Sequence, residues 1–145
     1  MFWSLAGLKF AEVMAYTREL LRKGDLDFLD MSLWDCFKEP VEAEFKGKSL
    51  LQWYAPLQRG RVRLGVTGKL LTAAQAQSCL DAGADFVIIG RGAILHHDWP
   101  RRALQDPHFR PVATPVTPEH LRREGLSAKF IRYMENWKGF VSTNP

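Results

Sequence analysis

The stretch Gly83-Ala84-Asp85-Phe86-Val87-Ile88-Ile89-Gly90-Arg91 decides the fold class. Its four consecutive apolar residues show no alternation with polar ones, which predicts a strand covered on both faces, as in a parallel sheet. A helix is predicted directly before this strand, over residues 73–82, because Thr72 and Gln75 match a capping box. A helix and a strand joined across a single glycine are typical of α/β proteins.

The alternation of helices and strands extends toward the N-terminus. Apolar residues at helical spacing predict a first helix, and Gly24 follows it at the usual stop position. The predicted elements there are a helix over 8–22, strands over 27–32 and 63–68, a loop over 33–45 and a helix over 49–57. The predicted fold is therefore α/β, with about three parallel strands and flanking helices.

The C-terminal part has fewer periodic signals. A short helix is predicted over residues 101–104, and four prolines then impose an extended connection between residues 107 and 118. Ser127 is predicted to cap a last helix in which Phe130, Met134 and Trp137 share a face. Residues 1–145 are predicted to form a single domain, of which 105–145 are a Pro-rich connection and a helical tail.

Composition and charge describe an ordinary globular chain. Of its 145 residues, 46% are hydrophobic and 25% charged, which is enough to bury a core. The net charge is +4, and arginines are frequent in the second half, but acidic residues are interspersed with them. No nucleic-acid-binding motif accompanies these charges, so we expect solvated helix faces and no nucleic-acid partner.

The cysteines and the N-terminus bear on location. Cys36 and Cys79 form no CxxC pair and have no metal-ligand spacing, so reduced thiols in a cytoplasmic protein are expected. The apolar start, residues 1–8, is too short to span a membrane and lacks a basic flank and a cleavage site. We therefore expect no membrane partner.

A candidate site lies where two predicted strands end. Thr67 and Gly68 close one strand, and Gly90 and Arg91 close the next. In parallel α/β folds ligands bind at the C-terminal ends of the strands, where glycines let backbone N–H groups approach an anion. Arg91 would add a planar, permanently charged fork suited to phosphate oxygens. The alternative is that the glycines only turn tight corners and Arg91 is a surface residue; the combination of all three favours phosphate binding.

These residues resemble the end of the flavin-dependent Old Yellow Enzyme family. The resemblance rests on residues 83–91 and on Asp98-Trp99-Pro100, and it extends back to about residue 8. In that family the upstream strand ends in a Gly-Gly loop, whose first glycine is replaced here by Thr67. Flavin barrels with other activities share the glycine-arginine element.

The resemblance implies a (β/α) barrel that binds FMN, with the phosphate on the loops after the seventh and eighth strands. Those loops correspond to Thr67-Gly68 and Gly90-Arg91, so the chain would be a partial TIM-type barrel holding the sixth to eighth strands. Members of the family take hydride from NAD(P)H onto the flavin and pass it to an electron-poor alkene or similar acceptor.

The resemblance also implies what the chain lacks. A complete barrel needs about 250 residues, and the first five strands have no counterpart here. The family's ring-binding and proton-donating residues belong to that part, so no catalytic residue is assigned. The chain is then either a fragment, whose partner is the N-terminal half of the barrel, or a natural half-barrel that pairs with a second copy. Another phosphate-binding barrel dehydrogenase and a non-catalytic association module are the alternative functions.

Two further groups of residues bear on the site. Trp34 follows the first strand and could line a substrate pocket, although a packed aromatic residue is an equal interpretation. His96-His97-Asp98 could be a metal cluster, but adjacent histidines point in different directions and no distant third ligand is evident. We therefore expect solvent-exposed residues at a helix end there, and no metal.

Overall fold

A computed structural model of the chain describes residues 7–142. The elements are α1 (Phe10–Lys23), β1 (Phe28–Ser32), a 3₁₀ turn (Ala43–Phe45), α2 (Leu50–Tyr54), β2 (Arg63–Thr67), α3 (Ala73–Asp81), β3 (Phe86–Val87), α4 (Arg91–Leu95), α5 (Trp99–Gln105), α6 (Pro118–Arg123) and α7 (Ala128–Met134). This confirms the α/β class with three parallel strands and flanking helices. Within residues 7–142, no helix combines the length and the apolar character needed to cross a bilayer.

The contacts within the chain divide it into two compact units. The first contains the residues up to Lys69 together with Ala76–Ile88, and the second contains Leu70–Gln75 together with the residues from Ile89 onward. The single domain predicted for residues 1–145, with its tail from residue 105, stays a prediction.

Helix α1 begins and ends as its sequence indicates. The Glu12 carboxylate accepts the backbone N–H of Lys9 at 2.7 Å, and the helix stops at Gly24, whose φ of 75° is left-handed. Its buried residues are Met14, Thr17 and Leu21, which lie on one face. The predicted helix over residues 8–22 is therefore confirmed, with its ends displaced by one or two residues.

The three strands pair in chain order. Strand β1 pairs with β2 in parallel, from Phe28 opposite Arg63 to Ser32 opposite Thr67, and β2 pairs with β3 at Gly65–Phe86 and Val66–Val87. One face of the sheet is packed, with Met31, Leu64 and Val66 buried. Because the strands are parallel, their C-terminal ends lie at one edge of the sheet.

The opposite face of the sheet is open. Phe28 is 58% exposed, and its ring meets that of Phe86 edge to face at 6.0 Å between centroids. The Phe86 ring lies over Gly65, where an added Cβ would stand 2.4 Å from it. The absence of a side chain at Gly65 thus allows the close approach of an aromatic ring, and a larger residue there would force the Phe86 ring to shift.

Strand β3 corrects one expectation from the sequence. The apolar run from Phe86 to Ile89 was predicted to be covered on both faces, but all four residues are half-buried and only Phe86–Val87 form the strand. The reason is its place at the edge of the sheet, with only β2 beside it. A continuous apolar run indicates that both faces of the strand are covered, but the described residues do not provide the elements that would cover them.

The second unit is helical, and its core combines residues from α4, α6, α7 and the chain after α7. Leu95, Leu121 and Met134 are buried at its centre with Phe140. The predicted cap at Ser127 is confirmed, since its hydroxyl accepts the N–H of Phe130. Of the predicted apolar face only Met134 is buried, together with Ile131, whereas Phe130 is 42% exposed and Trp137, after the end of the helix, is 36% exposed.

Candidate functional site

In the first unit, the loop after β1 lies against the end of β2. The N–H of Leu33 donates to the carbonyl of Thr67 at 3.3 Å, and the N–H of Cys36 donates to that of Gly68 at 3.3 Å. Trp34, between these two anchors, is 71% exposed. The structure thus brings together three of the predicted site residues, namely Trp34, Thr67 and Gly68, at the C-terminal edge of the sheet.

Gly68 has a structural reason to be glycine, whatever it binds. Its φ is +137°, and an added Cβ would stand 2.8 Å from the N atom of Cys36 and 2.9 Å from the O atom of Leu33. Both neighbours are backbone atoms that cannot rotate away. Within residues 7–142, the N–H of Gly68 donates to no other group, but Gly68 is buried, so its part in anion binding stays a prediction.

The two cysteines meet in the same unit, although they lie far apart in the sequence. Their Sγ atoms are 3.7 Å apart, both side chains are fully buried, and the Cys36 thiol also contacts the carbonyl of Gly68 at 3.2 Å. The thiol of Cys79 lowers the pKa of Cys36 by hydrogen bonding, and the same bond raises the pKa of Cys79. Both are free thiols in this structure, and their reduced state in a cytoplasmic protein stays a prediction.

In the second unit, a cavity of about 410 Å³ is lined by Arg91 and Arg110, which define what we call the arginine cavity. Its apolar wall is formed by Leu71, Leu95, Pro111, Val112 and Phe140, and its hydroxyl groups belong to Thr72 and Thr114. The carbonyl of Leu71 accepts the indole N–H of the buried Trp99 at 2.8 Å, which fixes that part of the wall. Cationic and apolar surface therefore face one space.

Arg91 and Gly90 lie at the start of α4, where the chain leaves β3. Arg91 is exposed and, among the described residues, neither it nor Arg110 takes part in an ion pair or a hydrogen bond from its guanidinium. A Cβ added at Gly90 would meet nothing within 4 Å, so packing does not require glycine there. Sequence analysis identified Arg91 but missed Arg110, because no local pattern links the two.

A second cluster of the same unit surrounds Glu124, at the end of α6. Its Oε2 atom accepts the N–H of His97 at 2.9 Å and contacts the Nδ1 atom of His97 at 2.8 Å. Its Oε1 atom lies 3.8 Å from the Nδ1 atom of His96. Burial alone would raise the pKa of Glu124, but the hydrogen bonds from His97 and the nearby His96 outweigh it, so the pKa is lowered.

His96 contradicts its expected exposure. It is only 8% exposed, while His97 is exposed as predicted. The Nε2 atom of His96 accepts the N–H of Val112 at 3.0 Å, and its Nδ1 atom is buried without a partner among the described residues. Burial lowers the pKa of His96, and the positive charge of Arg102 lowers it further. The distant carboxylate that the sequence did not reveal is Glu124.

The cluster contains two groups of possible metal ligands, and in the group of His96, His120 and Glu124 the hydrogen bonds favour a proton over a metal ion. His96, His120 and Glu124 each bring one possible ligand atom within 4.8 Å of the others. However, the Nε2 lone pair of His96 already accepts the N–H of Val112, and a neutral imidazole has only one such lone pair. Its Nδ1 atom therefore carries the ring proton and is not free to coordinate a metal.

Comparisons of the chain with models of protein families, with curated proteins and with solved structures found no match.

Proposed function

We propose that this chain supplies the FMN-phosphate-binding part of a flavin-dependent NAD(P)H oxidoreductase of the Old Yellow Enzyme type. The observation that carries the proposal is the arginine cavity, an open cleft lined by Arg91 and Arg110, neither of which has an acidic partner among the described residues. A volume of about 410 Å³ suits a small-molecule site. Two guanidinium groups beside apolar walls fit a phosphate carried on an organic group.

In this proposal Arg91 binds the phosphate oxygens through two parallel N–H groups, and Arg110 supplies a second charge. Gly90 leaves its backbone open to the ligand, because no side chain stands over it. In the first unit, Thr67 and Gly68 remain sequence-based candidates for phosphate binding, and Trp34 remains one for lining a substrate pocket. FMN, when bound, would accept hydride from NAD(P)H and deliver it to an electron-poor alkene or similar acceptor.

The open sheet of the first unit supports a partial (β/α) barrel that another set of strands completes. Within residues 7–142, β1 and β3 each have one edge without a neighbouring strand, and Phe28 is exposed on the face that a closed barrel would fill. We propose the N-terminal half of the barrel as the partner, with a second copy of the chain as the alternative. A cytoplasmic location stays a prediction.

Two other functions remain as alternatives. The arginine cavity would also serve another phosphate-binding barrel dehydrogenase, because nothing in its wall is specific for a flavin ring. The exposed sheet edges would also serve a non-catalytic module that only associates with a partner. Flavin binding separates the association module from the proposal. Transfer of hydride from NAD(P)H to an electron-poor alkene, in the completed barrel, separates it from the other barrel dehydrogenases.

The experiment is a titration of the 145-residue chain with FMN and with riboflavin, followed by flavin fluorescence. Arg91→Ala should weaken FMN binding by about 1.5–3 kcal/mol, that is, about ten- to a hundredfold, because charge-assisted hydrogen bonds are lost. Arg91→Lys should recover only part of this, since lysine is a point charge. Riboflavin has no phosphate, and since the family's ring-binding residues have no counterpart in this chain, any riboflavin binding should be weak and should respond to neither substitution.

Arg101→Ala is the matched control. Arg101 lies on α5 in the same unit, is exposed, and does not line the arginine cavity. The Arg101→Ala substitution removes the same charge as Arg91→Ala, so it measures the general effect of lowering the net charge by one. If Arg91→Ala and Arg101→Ala weakened FMN equally, or if Arg91→Ala weakened riboflavin as much as FMN, the phosphate assignment would be wrong.

A further inference from the structure

One wall of the arginine cavity is held by a single hydrogen bond. Residues 110–114, which carry Arg110, Val112 and Thr114, line the cavity. Within the described chain, the only hydrogen bond of residues 110–115 is the one from the N–H of Val112 to the Nε2 atom of His96, at 3.0 Å. Pro111 and Pro115 have no N–H to donate. The flanking residues are fixed by backbone bonds, Phe109 to Ala73 and Val116 to Phe140, so between these two anchors the position of the wall depends on His96.

The hydrogen bond fixes the protonation of the His96 ring. Because Nε2 accepts the N–H of Val112, it carries no proton, and the proton of the neutral ring is on Nδ1. Protonating Nε2 would place two N–H groups against each other, and the bond to Val112 would be lost. The hydrogen bond that orders the wall therefore forms only when the His96 ring is neutral.

Several charged or titratable groups face His96 from the elements around it. Helix α6 contributes His120, whose ring centroid lies 5.6 Å away, and Glu124, whose Oε1 lies 3.8 Å from Nδ1. Helix α5 contributes Arg102, together with Asp98 at its N-cap. The adjacent His97 is bonded to Glu124. Burial and Arg102 together hold the pKa of His96 below its ordinary value, so the ring is neutral at pH 7.

We propose that His96 is a positioning residue of the arginine cavity: its neutral ring holds residues 110–114 in place, and its protonation releases them. Anion binding at the cavity is thereby coupled to pH. This deepens the proposed function, on which it rests for the identity of the anion as a phosphate.

Protonation of His96 should weaken anion binding, which is the opposite of what charge attraction alone predicts. A proton on His96 adds positive charge near the cavity and, by attraction alone, would strengthen the binding of an anion. Release of the wall, which moves Arg110, weakens it instead. We expect FMN affinity to fall about three- to tenfold on acidification through the His96 titration, the range for the loss of one net hydrogen bond.

The test compares the wild-type chain with two variants over pH 5 to 8. In His96→Gln the amide oxygen can still accept the N–H of Val112 but does not titrate, and in His96→Phe the acceptor is absent. Dividing the FMN affinity of the wild type by that of His96→Gln at each pH cancels the protonation of the FMN phosphate itself. We expect this ratio to fall with acidification, and His96→Phe to bind weakly at every pH. A ratio that stays constant or rises would overturn the proposal.

A measurement without ligand keeps the two proposals apart. In the ¹⁵N-labelled wild-type chain, Nε2 of His96 should be unprotonated at pH 7.5, and the Val112 amide signal should shift with the titration of that ring. A protonated Nε2 at pH 7.5, or a Val112 amide that ignores the titration, would overturn the positioning role even if FMN binds. No FMN binding by any chain would refute the proposed function, while the Val112 signal still decides whether His96 holds the wall.

Discussion

Gly68→Ala should destabilise the protein strongly, because the added methyl group causes both backbone strain and a steric clash. The φ of +137° is unfavourable for an L residue, and such strained conformations cost about 1–3 kcal/mol. The new Cβ would also stand 2.8 Å from the N atom of Cys36 and 2.9 Å from the O atom of Leu33, and overpacking of this kind costs about 1–3 kcal/mol. We expect a total loss of about 3 kcal/mol in the free energy of unfolding.

The assay is urea-induced unfolding followed by circular dichroism, with Gly90→Ala as the matched control. Gly90 has a φ of −90°, and an added Cβ would meet nothing within 4 Å, so neither penalty applies to it. Because Gly90 is the N-cap of α4, where glycine is preferred to alanine, its variant should lose only about 0.5–1 kcal/mol in the free energy of unfolding. For a chain of this size, 3 kcal/mol lowers the Tm by about 9 °C. Equal stability of the two variants would refute the argument that Gly68 is required by the close approach of the loop after β1.

Two further predictions concern the first unit. Asp85→Asn should lower the stability at pH 7 by about 1 kcal/mol or less, because the carboxylate, although 42% exposed, binds Arg59 and accepts the N–H of Leu64 at 2.7 Å. These bonds lower the pKa of Asp85. The difference in stability between wild type and variant should therefore be present above pH 3.8 and be lost as the pH falls through the native-state pKa. Unfolding monitored from pH 7 to pH 2 tests this; a difference that does not change with pH would contradict it. The chain should also self-associate through its open sheet, and Phe28→Lys should reduce this; a monodisperse wild-type monomer in analytical ultracentrifugation would contradict the prediction.

Local signals in the sequence predicted most of the first unit. The capping box of Thr72 and Gln75 is present, with the Gln75 N–H donating to the Thr72 hydroxyl at 3.2 Å and its side chain accepting in return. Ser49 caps α2 in the same way. Such signals work because the groups that satisfy a helix end lie within three residues of it. Strand pairing followed from the alternation of helices and strands.

Helix α6 was not predicted, because the capping signal at its first residues was misinterpreted. The prolines between residues 107 and 118 indicated an extended connection, yet Pro118 is the first residue of α6, where a missing N–H is harmless. Thr117 caps the helix by accepting the N–H of His120 at 3.2 Å. A proline preceded by a threonine was thus a start signal, and it was interpreted as a break.

The cavity and its supports could not be predicted, because they depend on contacts between distant parts of the chain. Glu124 is 28 residues from His96, Arg110 is 19 residues from Arg91, and Cys79 is 43 residues from Cys36. No periodicity joins such pairs, since their proximity follows from packing. The sequence identified Arg91 only because a strand end and a glycine precede it directly.

Exposure of an arginine does not by itself indicate a ligand, as Arg101 and Arg110 illustrate. Both are exposed and without an ion pair among the described residues, but only Arg110 shares a cleft with a second unpaired guanidinium, that of Arg91. Two like charges that line one cavity repel each other, and none of the described residues that line it carries a carboxylate to offset this. A bound dianion would convert that repulsion into attraction. The same reasoning links the cavity to His96. If protonated His96 releases residues 110–114, the charge of Arg110 can move away while Arg91 stays in place. The cavity then loses part of its affinity for a phosphate.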